Sequence, residues 1–195
     1  SDIQVKMQDA AWIKRLAYRI LLPVGYKTAA YRLEKKAPPR IWKLLNGIAY
    51  LGLFRSLKNF FGLTRLQHVY TGGAPLGPEI FHLFQALGVN IKQAYGMTEQ
   101  TAASIIHRTD DIRLDTVGKP LPGIEFQVSD SGELLSRGDT IFKGYYKNPE
   151  ATEEALKDGW FHSGDAAILD DDGHIIIIDR MSDVMKLGDG SKFSP

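Results

Sequence analysis

A chain of 195 residues with 44% hydrophobic residues has room for one or two domains around a buried core and does not have the composition of a disordered chain. It has no cysteine, so disulfide staples and thiolate metal sites are excluded and a reducing compartment is the expected setting. The net charge of +1 is a balance of opposites: residues 1–70 hold 13 Lys and Arg against 3 Asp and Glu, and residues 71–195 hold 11 against 20.

The first sixty residues read as helices between breakers. Trp12, Ile13, Leu16 and Ile20 recur at helical spacing, with Lys14, Arg15 and Arg19 interleaved, and Pro23-Val24-Gly25 is expected to stop that helix. A second helix is expected near Ala29–Lys36, ended by Pro38-Pro39. A third runs from Ile41 to Phe61, with Trp42, Leu45, Ile48, Ala49, Leu53 and Leu57 on a broad apolar face and Gly62 closing it. The longest uncharged apolar run, between Lys43 and Arg55, has 11 residues, about half of the roughly 20 that a spanning helix needs. Ser1 opens directly onto a helical pattern and Phe193-Ser194-Pro195 ends inside a motif, so the expectation is an internal piece of a larger protein without a secretory signal.

Beyond Leu63 the pattern changes. A short buried strand over Leu66–Tyr70, a Thr71-Gly72-Gly73-Ala74-Pro75 loop, a helix over Glu79–Leu87 ended by Gly88, and a strand over Val89–Ala94 follow the grammar of an open parallel α/β sheet. Ligands in such sheets bind beyond the carboxyl ends of strands, where the loop at 72–75 and Tyr95-Gly96-Met97-Thr98-Glu99 both fall. From Pro120, short strands are expected over Ile124–Val128, Gly132–Arg137, Thr140–Tyr145, Trp160–Phe161, Ala166–Leu169 and His174–Asp179, with a small helix over Asn148–Leu156. The fold class expected is α/β: the end of a parallel sheet subdomain, preceded by helices and followed by a small antiparallel β-barrel. The domains are 1–65 (basic helical), 66–119 (nucleotide-binding) and 120–195 (β-barrel, ending at a hinge).

Local chemistry alone leaves alternatives open. Gly72-Gly73-Ala74-Pro75 has little side chain and can lie along a purine, but an ordinary strand-to-helix turn uses glycines in the same way. Thr98-Glu99 offers a hydroxyl and a carboxylate, and is also how many helices begin. Asp165 can accept from two hydroxyls and Arg180 can donate several hydrogen bonds, or the two can be a turn aspartate and a surface ion pair. Ser163-Gly164 is expected to make the tight turn that presents Asp165. His68, His82, His107, His162 and His174 are never within five residues of each other. They lack local metal-ligand spacing and read as packing or surface residues, with His162 assigned to packing or hydrogen bonding.

Four segments occur in fixed order: GGAPL (72–76), YGMTE (95–99), GWFHSGD (159–165) and DRMSDVMK (179–186), connected by VGKPLPG (117–123) and GELLSRGDTIFKGYYKNPEAT (132–152). With these motifs the chain resembles the adenylate-forming superfamily of acyl- and aryl-CoA synthetases, luciferases and peptide-synthetase adenylation domains, over roughly residues 66–195. It is most similar to an AMP-forming long-chain fatty acid–CoA ligase, an enzyme that joins a carboxylic acid to coenzyme A through an acyl-adenylate. The resemblance implies a site for ATP or AMP made by Gly72, Gly73, Ala74, Pro75, Gln93, Ala94, Tyr95, Gly96, Met97, Thr98, Asp165 and Arg180. In it Tyr95 lines the adenine, Asp165 and Arg180 hold the ribose, Thr98 bonds the α-phosphate and Glu99 holds Mg²⁺. Thr98 and Glu99 are the catalytic pair.

The same resemblance implies a Ser/Thr/Gly-rich phosphate loop ending in Lys-Gly and a lid bearing a lysine. Neither is found in these 195 residues, so the chain by itself is expected not to catalyse adenylation. The family's hinge residue, two positions after the ribose arginine, is Ser182 here with Asp183 beside it, and the two remain open. Carboxylic acid, ATP and coenzyme A are the implied partners, and nucleic acid is not one. A cytoplasmic location is expected. Trp12, Lys14, Arg15, Tyr18 and Arg19 also make a basic amphipathic pattern that admits peripheral membrane contact through residues 1–60, beside a solvated helix face. Two alternatives stand: an adenylation enzyme with another acid or acceptor, and a non-catalytic nucleotide- or membrane-binding remnant.

Overall fold

A computed structural model describes residues 12–183, 185–186 and 192–193 of the protein. The first eleven residues of the basic segment, the Ile13 and Lys14 side chains, Val184 of the DRMSDVMK segment and the terminal Ser194-Pro195 lie outside the described residues. The chain divides into two units, residues 1–70 with 76–91, and residues 71–75 with 92–195.

The first unit is helical. Helix α1 runs Trp12–Leu33, α2 Arg40–Ala49, a π-helical turn Tyr50–Phe54, α3 Arg55–Phe60 and α4 Pro78–Ala86. The expected break at Pro23-Val24-Gly25 is absent, and α1 passes through it. An interior proline removes one backbone hydrogen bond and costs about 3 kcal/mol. Here Pro23 faces outward, while the residues around it are committed to packing. Leu22 joins Ala49, Leu53, Phe54, Leu83, Ala86, Leu87 and Val89 in the unit's core. A Cβ on Gly25 would sit 2.5 Å from the Ala86 carbonyl oxygen and 2.7 Å from the Phe54 ring, so this glycine permits close approach rather than ending a helix. Thr28 Oγ1 returns to the Val24 and Gly25 carbonyls at 3.0 Å. Gly62 does close α3 as expected, at φ +70° with Leu63 N–H donating to Lys58 O at 2.7 Å.

The sheet strands belong to the second unit, except that the first two begin on Val69, Tyr70 and Ile91 of the helical unit. Strand β1 (Val69–Thr71) leads into the 72–75 loop, and β2 (Ile91–Tyr95), β3 (Ile105–Ile106) and β4 (Lys119–Pro120) follow in the sheet order β1-β2-β3-β4. Tyr95 lies opposite Ile105 in the antiparallel β2–β3 register. The antiparallel strands after residue 120 are β5 (Ile124–Val128), β6 (Glu133–Gly138), β8 (Trp160–Leu169) and β9 (Ile175–Arg180), where strands were expected, and a short β7 (Leu156–Lys157) that was not, ordered β5-β6-β8-β7 with β9 on β8. Helix α5 (Pro149–Ala155) starts where Asn148 accepts from Ala151 N–H at 3.2 Å, an N-cap with proline in the first turn. Ile105, Val117, Leu134, Ala167 and Ile175 form the core.

Two expectations in this unit fail. Residues 140–145 form no strand, because their groups bond to the 98–101 loop instead of a ladder (Phe142 N–H to Glu99 O, 2.8 Å; Thr101 Oγ1 to Thr140 O, 2.6 Å). Residues 160–169 form one strand, and Ser163-Gly164 is a bulge within it rather than a turn between two. Leu135 pairs with His162 while Glu133 pairs with Ala166, so β8 carries extra residues at this point.

Candidate nucleotide site

The bulge in β8 is what aims Asp165. Gly164 takes φ +69°, which a Cβ would disfavour, and its N–H donates to Glu133 Oε1 at 2.9 Å. Ser163 Oγ donates to Leu134 O at 2.7 Å and accepts from Asp165 N–H at 3.1 Å. His162 Nδ1 lies 3.0 Å from the other Glu133 oxygen. With the bulge fixed from both sides, Asp165 stands opposite Arg180 in the β8–β9 register.

Three of the expected residues meet there. The Tyr95 hydroxyl donates to Asp165 Oδ2 at 2.5 Å, and Arg180 Nη1 lies 3.1 Å from Asp165 Oδ1 and 3.3 Å from Ser163 O. Asp165 is 6% exposed, whereas the Arg180 side chain is 60% exposed. A carboxylate so buried is retained only with partners, and each of its oxygens has one here while keeping a further lone pair. Burial, and then the bond to Asp165, push the Tyr95 hydroxyl well above its usual range, so it stays a donor. A ring, a carboxylate and a guanidinium thus converge from β2, β8 and β9.

The loop that follows β2 is tightly folded. A Cβ on Gly96 would come within 2.0 Å of the Ala102 carbonyl oxygen. Gln100 and Ala102 N–H both return to Met97 O, at 3.0 and 3.1 Å, around a 3₁₀ turn at Thr98–Gln100. Thr101 and Ala102 both take positive φ, 58° and 76°. Strain of this kind persists only where the surroundings hold it and is concentrated at functional sites. Gln100 is the hold: fully buried, it bonds Ser136 Oγ and Ser104 Oγ, both at 2.8 Å. Thr98 is exposed and Glu99 half-buried, with Glu99 Oε1 accepting from the Tyr145 hydroxyl at 2.8 Å. The 72–75 loop is exposed, and a Cβ on Gly72 would stand 2.9 Å from Ala94 O, so glycine is what lets it pass β2.

Beneath β2 lies a polar chain. Gln93 N–H donates to His107 Nδ1 at 3.0 Å, which places the proton of neutral His107 on Nε2, facing Thr116 Oγ1 at 2.9 Å. Thr116 Oγ1 in turn lies 3.0 Å from His174 Nδ1, and His174 Nε2 is 3.2 Å from Asp111 Oδ2 without hydrogen-bond alignment. Burial first, then the neighbouring His174, hold His107 down to about 4.

Sequence reasoning did not find Tyr145, Ser163's double bond, Gln100 or this histidine chain. Tyr145 lies inside the quoted GYYKNP run, but its partner is 46 residues away. No group of three or more His, Cys, Asp or Glu that could hold a metal occurs among the described residues. A lone carboxylate such as Glu99 fits Mg²⁺ carried mainly by phosphates and water, and does not fit a protein-made cage.

Comparison with known proteins identifies the family of the chain. The profile of the AMP-binding enzyme family matches residues 28–146. A long-chain-fatty-acid–CoA ligase of Mycobacterium bovis is 39% identical over 143 residues, 73% of this chain and 24% of its own length. The luciferin 4-monooxygenase of Photinus pyralis is 39% identical over 145 residues, 65% of this chain and 26% of its own. A crystal structure of an anthranilate CoA ligase in complex with anthranoyl-AMP superposes with a TM-score of 0.63 at 29% identity, over 75% of this chain and 31% of that one. The chain therefore spans about a quarter of the length of the curated relatives it matches.

Proposed function

This chain belongs to the AMP-binding enzyme family, and from that we propose that it is part of an AMP-forming ligase that activates a carboxylic acid and passes it to coenzyme A. The observation that carries the reading is the Tyr95–Asp165–Arg180 cluster: a buried carboxylate flanked by a ring and a guanidinium has the donors and acceptors that a nucleoside needs. In this reading Asp165 accepts from the ribose hydroxyls and Arg180 donates beside it. Tyr95 lies along the adenine, with Gln93, Ala94, Gly96, Met97 and the backbone of Gly72, Gly73, Ala74 and Pro75 around it. Thr98 donates to the α-phosphate.

An oxygen of the substrate carboxylate forms a bond to the α-phosphorus and pyrophosphate leaves. A thiol sulfur then bonds the acyl carbon and AMP leaves with the electron pair. The protein's share is positioning and neutralising charge on phosphate oxygens. Glu99 would hold Mg²⁺, which supplies part of that neutralisation when bound.

A long-chain fatty acid is the proposed acid, supported by the name of the Mycobacterium relative. We assign residues 66–119 and 120–195 to the nucleotide side and the basic residues 1–65 to the acyl side or the membrane surface. Exposed Trp12, Leu16, Ile20, Ile41 and Leu44 alternate with Arg15, Arg19 and Lys43 there. The location proposed is cytoplasmic, with peripheral contact; no described helix is long and apolar enough to cross a membrane. Binding to liposomes that ignores anionic lipid and salt would count against a part for the basic residues in that contact.

The decisive experiment offers the full-length parent a panel of carboxylic acids of increasing chain length and measures AMP release that depends on both ATP and coenzyme A. Release peaking at long chains is the expected result, and none with any acid refutes the reading. The 195 residues alone are proposed not to adenylate, and acyl-adenylate made by them would refute that.

A further inference from the structure

The segment between β6 and α5 has no role in the reading above, yet it grips the 98–101 loop at three points. Thr140 O accepts from Thr101 Oγ1 at 2.6 Å, Phe142 N–H donates to Glu99 O at 2.8 Å, and the Tyr145 hydroxyl donates to Glu99 Oε1 at 2.8 Å. The first two fix the backbone of the loop, and the third fixes a single carboxylate. The geometry points to Tyr145 as a positioning residue that orients Glu99 toward a divalent cation on the phosphates of a bound nucleotide. This rests on the proposed role of Glu99 as the residue facing that cation.

Glu99 stands on a short, half-exposed 3₁₀ turn and its side chain has free rotors to settle. A carboxylate offers two oxygens, and Tyr145 occupies Oε1 so that Oε2 is left for a hard cation. The hydroxyl is itself well anchored. The Tyr145 ring packs edge-on to Phe142 at 4.8 Å, and Phe142 packs edge-on to Phe161 of β8 at 5.7 Å. Phe161 is buried at 3% exposure, so the ring inherits its place from the core. Tyr145 N–H donates to Thr152 Oγ1 of α5 at 2.9 Å, and Thr152 Oγ1 donates to Asn148 O at 2.8 Å. A Cβ on Gly144 would meet Thr152 Cγ2 at 2.7 Å, which keeps the backbone close to α5 at this point. Groups of this kind that orient a metal-facing carboxylate commonly cost 10- to 100-fold in metal affinity when removed.

The test is calorimetric titration of the chain with ATP in excess Mg²⁺ and with ATP in EDTA. Tyr145→Phe keeps the ring and removes only the hydroxyl. It is expected to weaken Mg·ATP binding about 10-fold while metal-free ATP binding stays within about twofold, and Glu99→Gln is expected to lose the same Mg²⁺ preference. If Glu99→Gln loses the preference and Tyr145→Phe keeps it, the positioning role is overturned and the reading of Glu99 stands. Equal weakening of both forms of ATP by Tyr145→Phe means a general fold defect and also overturns the positioning role. If Glu99→Gln keeps the preference, or the unsubstituted chain has none, the cation reading of Glu99 falls and takes this inference with it.

Discussion

Acidification should loosen the second unit through His107, in a window set by that one ring. His107 is 2% exposed, accepts from Gln93 N–H on Nδ1 and faces Thr116 with Nε2. Protonating it leaves two donors opposed at Nδ1, beside His174, with Asp111 and Asp115 the nearby acids. In the folded chain it is held down to about 4, while an unfolded histidine titrates near 6.5. Between those values the unfolded chain binds the extra proton, so stability rises with pH across the window and falls as pH drops through it. From about pH 7.5 to about pH 5 the loss works out at about 2 kcal/mol. Urea unfolding at each pH measures it, with His107→Gln as the control, since an amide oxygen can still accept from Gln93 N–H but does not titrate. The unsubstituted chain is expected to start more stable than the variant and lose about 2 kcal/mol of that advantage by about pH 5. A stability difference that stays constant with pH would refute the assignment of the buried neutral ring.

Gly96→Ala should be strongly destabilising, because its Cβ would stand 2.0 Å from Ala102 O and 2.8 Å from two further backbone atoms. Forced overpacking against backbone costs about 3 kcal/mol or more, a fall of at least about 10 °C in melting temperature for a unit of this size; unchanged melting refutes it. Gly47→Ala should do the opposite. Its Cβ meets nothing within 4 Å in the middle of α2, so a gain of about 0.5–1 kcal/mol in thermal unfolding is expected. Asp165→Asn should weaken AMP binding by about 10- to 100-fold in an equilibrium titration, the range for hydrogen bonds to a charged group. Undiminished affinity would remove Asp165 from the ribose role.

What this sequence determined by itself is short-range or ordered along the chain. The strand at Ile124–Val128, the small helix that begins near Asn148 and the Gly62 helix end depend on a few neighbouring residues, and they stand where local pattern places them. The order of the four motifs is equally a property of the sequence, and it points to the family. Tertiary structure decided the rest, because the same residue type serves different physics in different surroundings. Gly62 is needed for its positive φ, whereas Gly25 and Gly96 are needed for the backbone that passes beside them. Pro23 could not break α1 once Leu22 and Gly25 were packed in a core. Tyr145 and Glu99, or Thr116 and His174, become partners only when segments far apart in sequence are laid together. Local propensity is worth tenths of a kcal/mol to about 1 per residue and is written nearby. A buried polar group left unpartnered costs about 1–3 kcal/mol, and where its partner lies is a property of the fold.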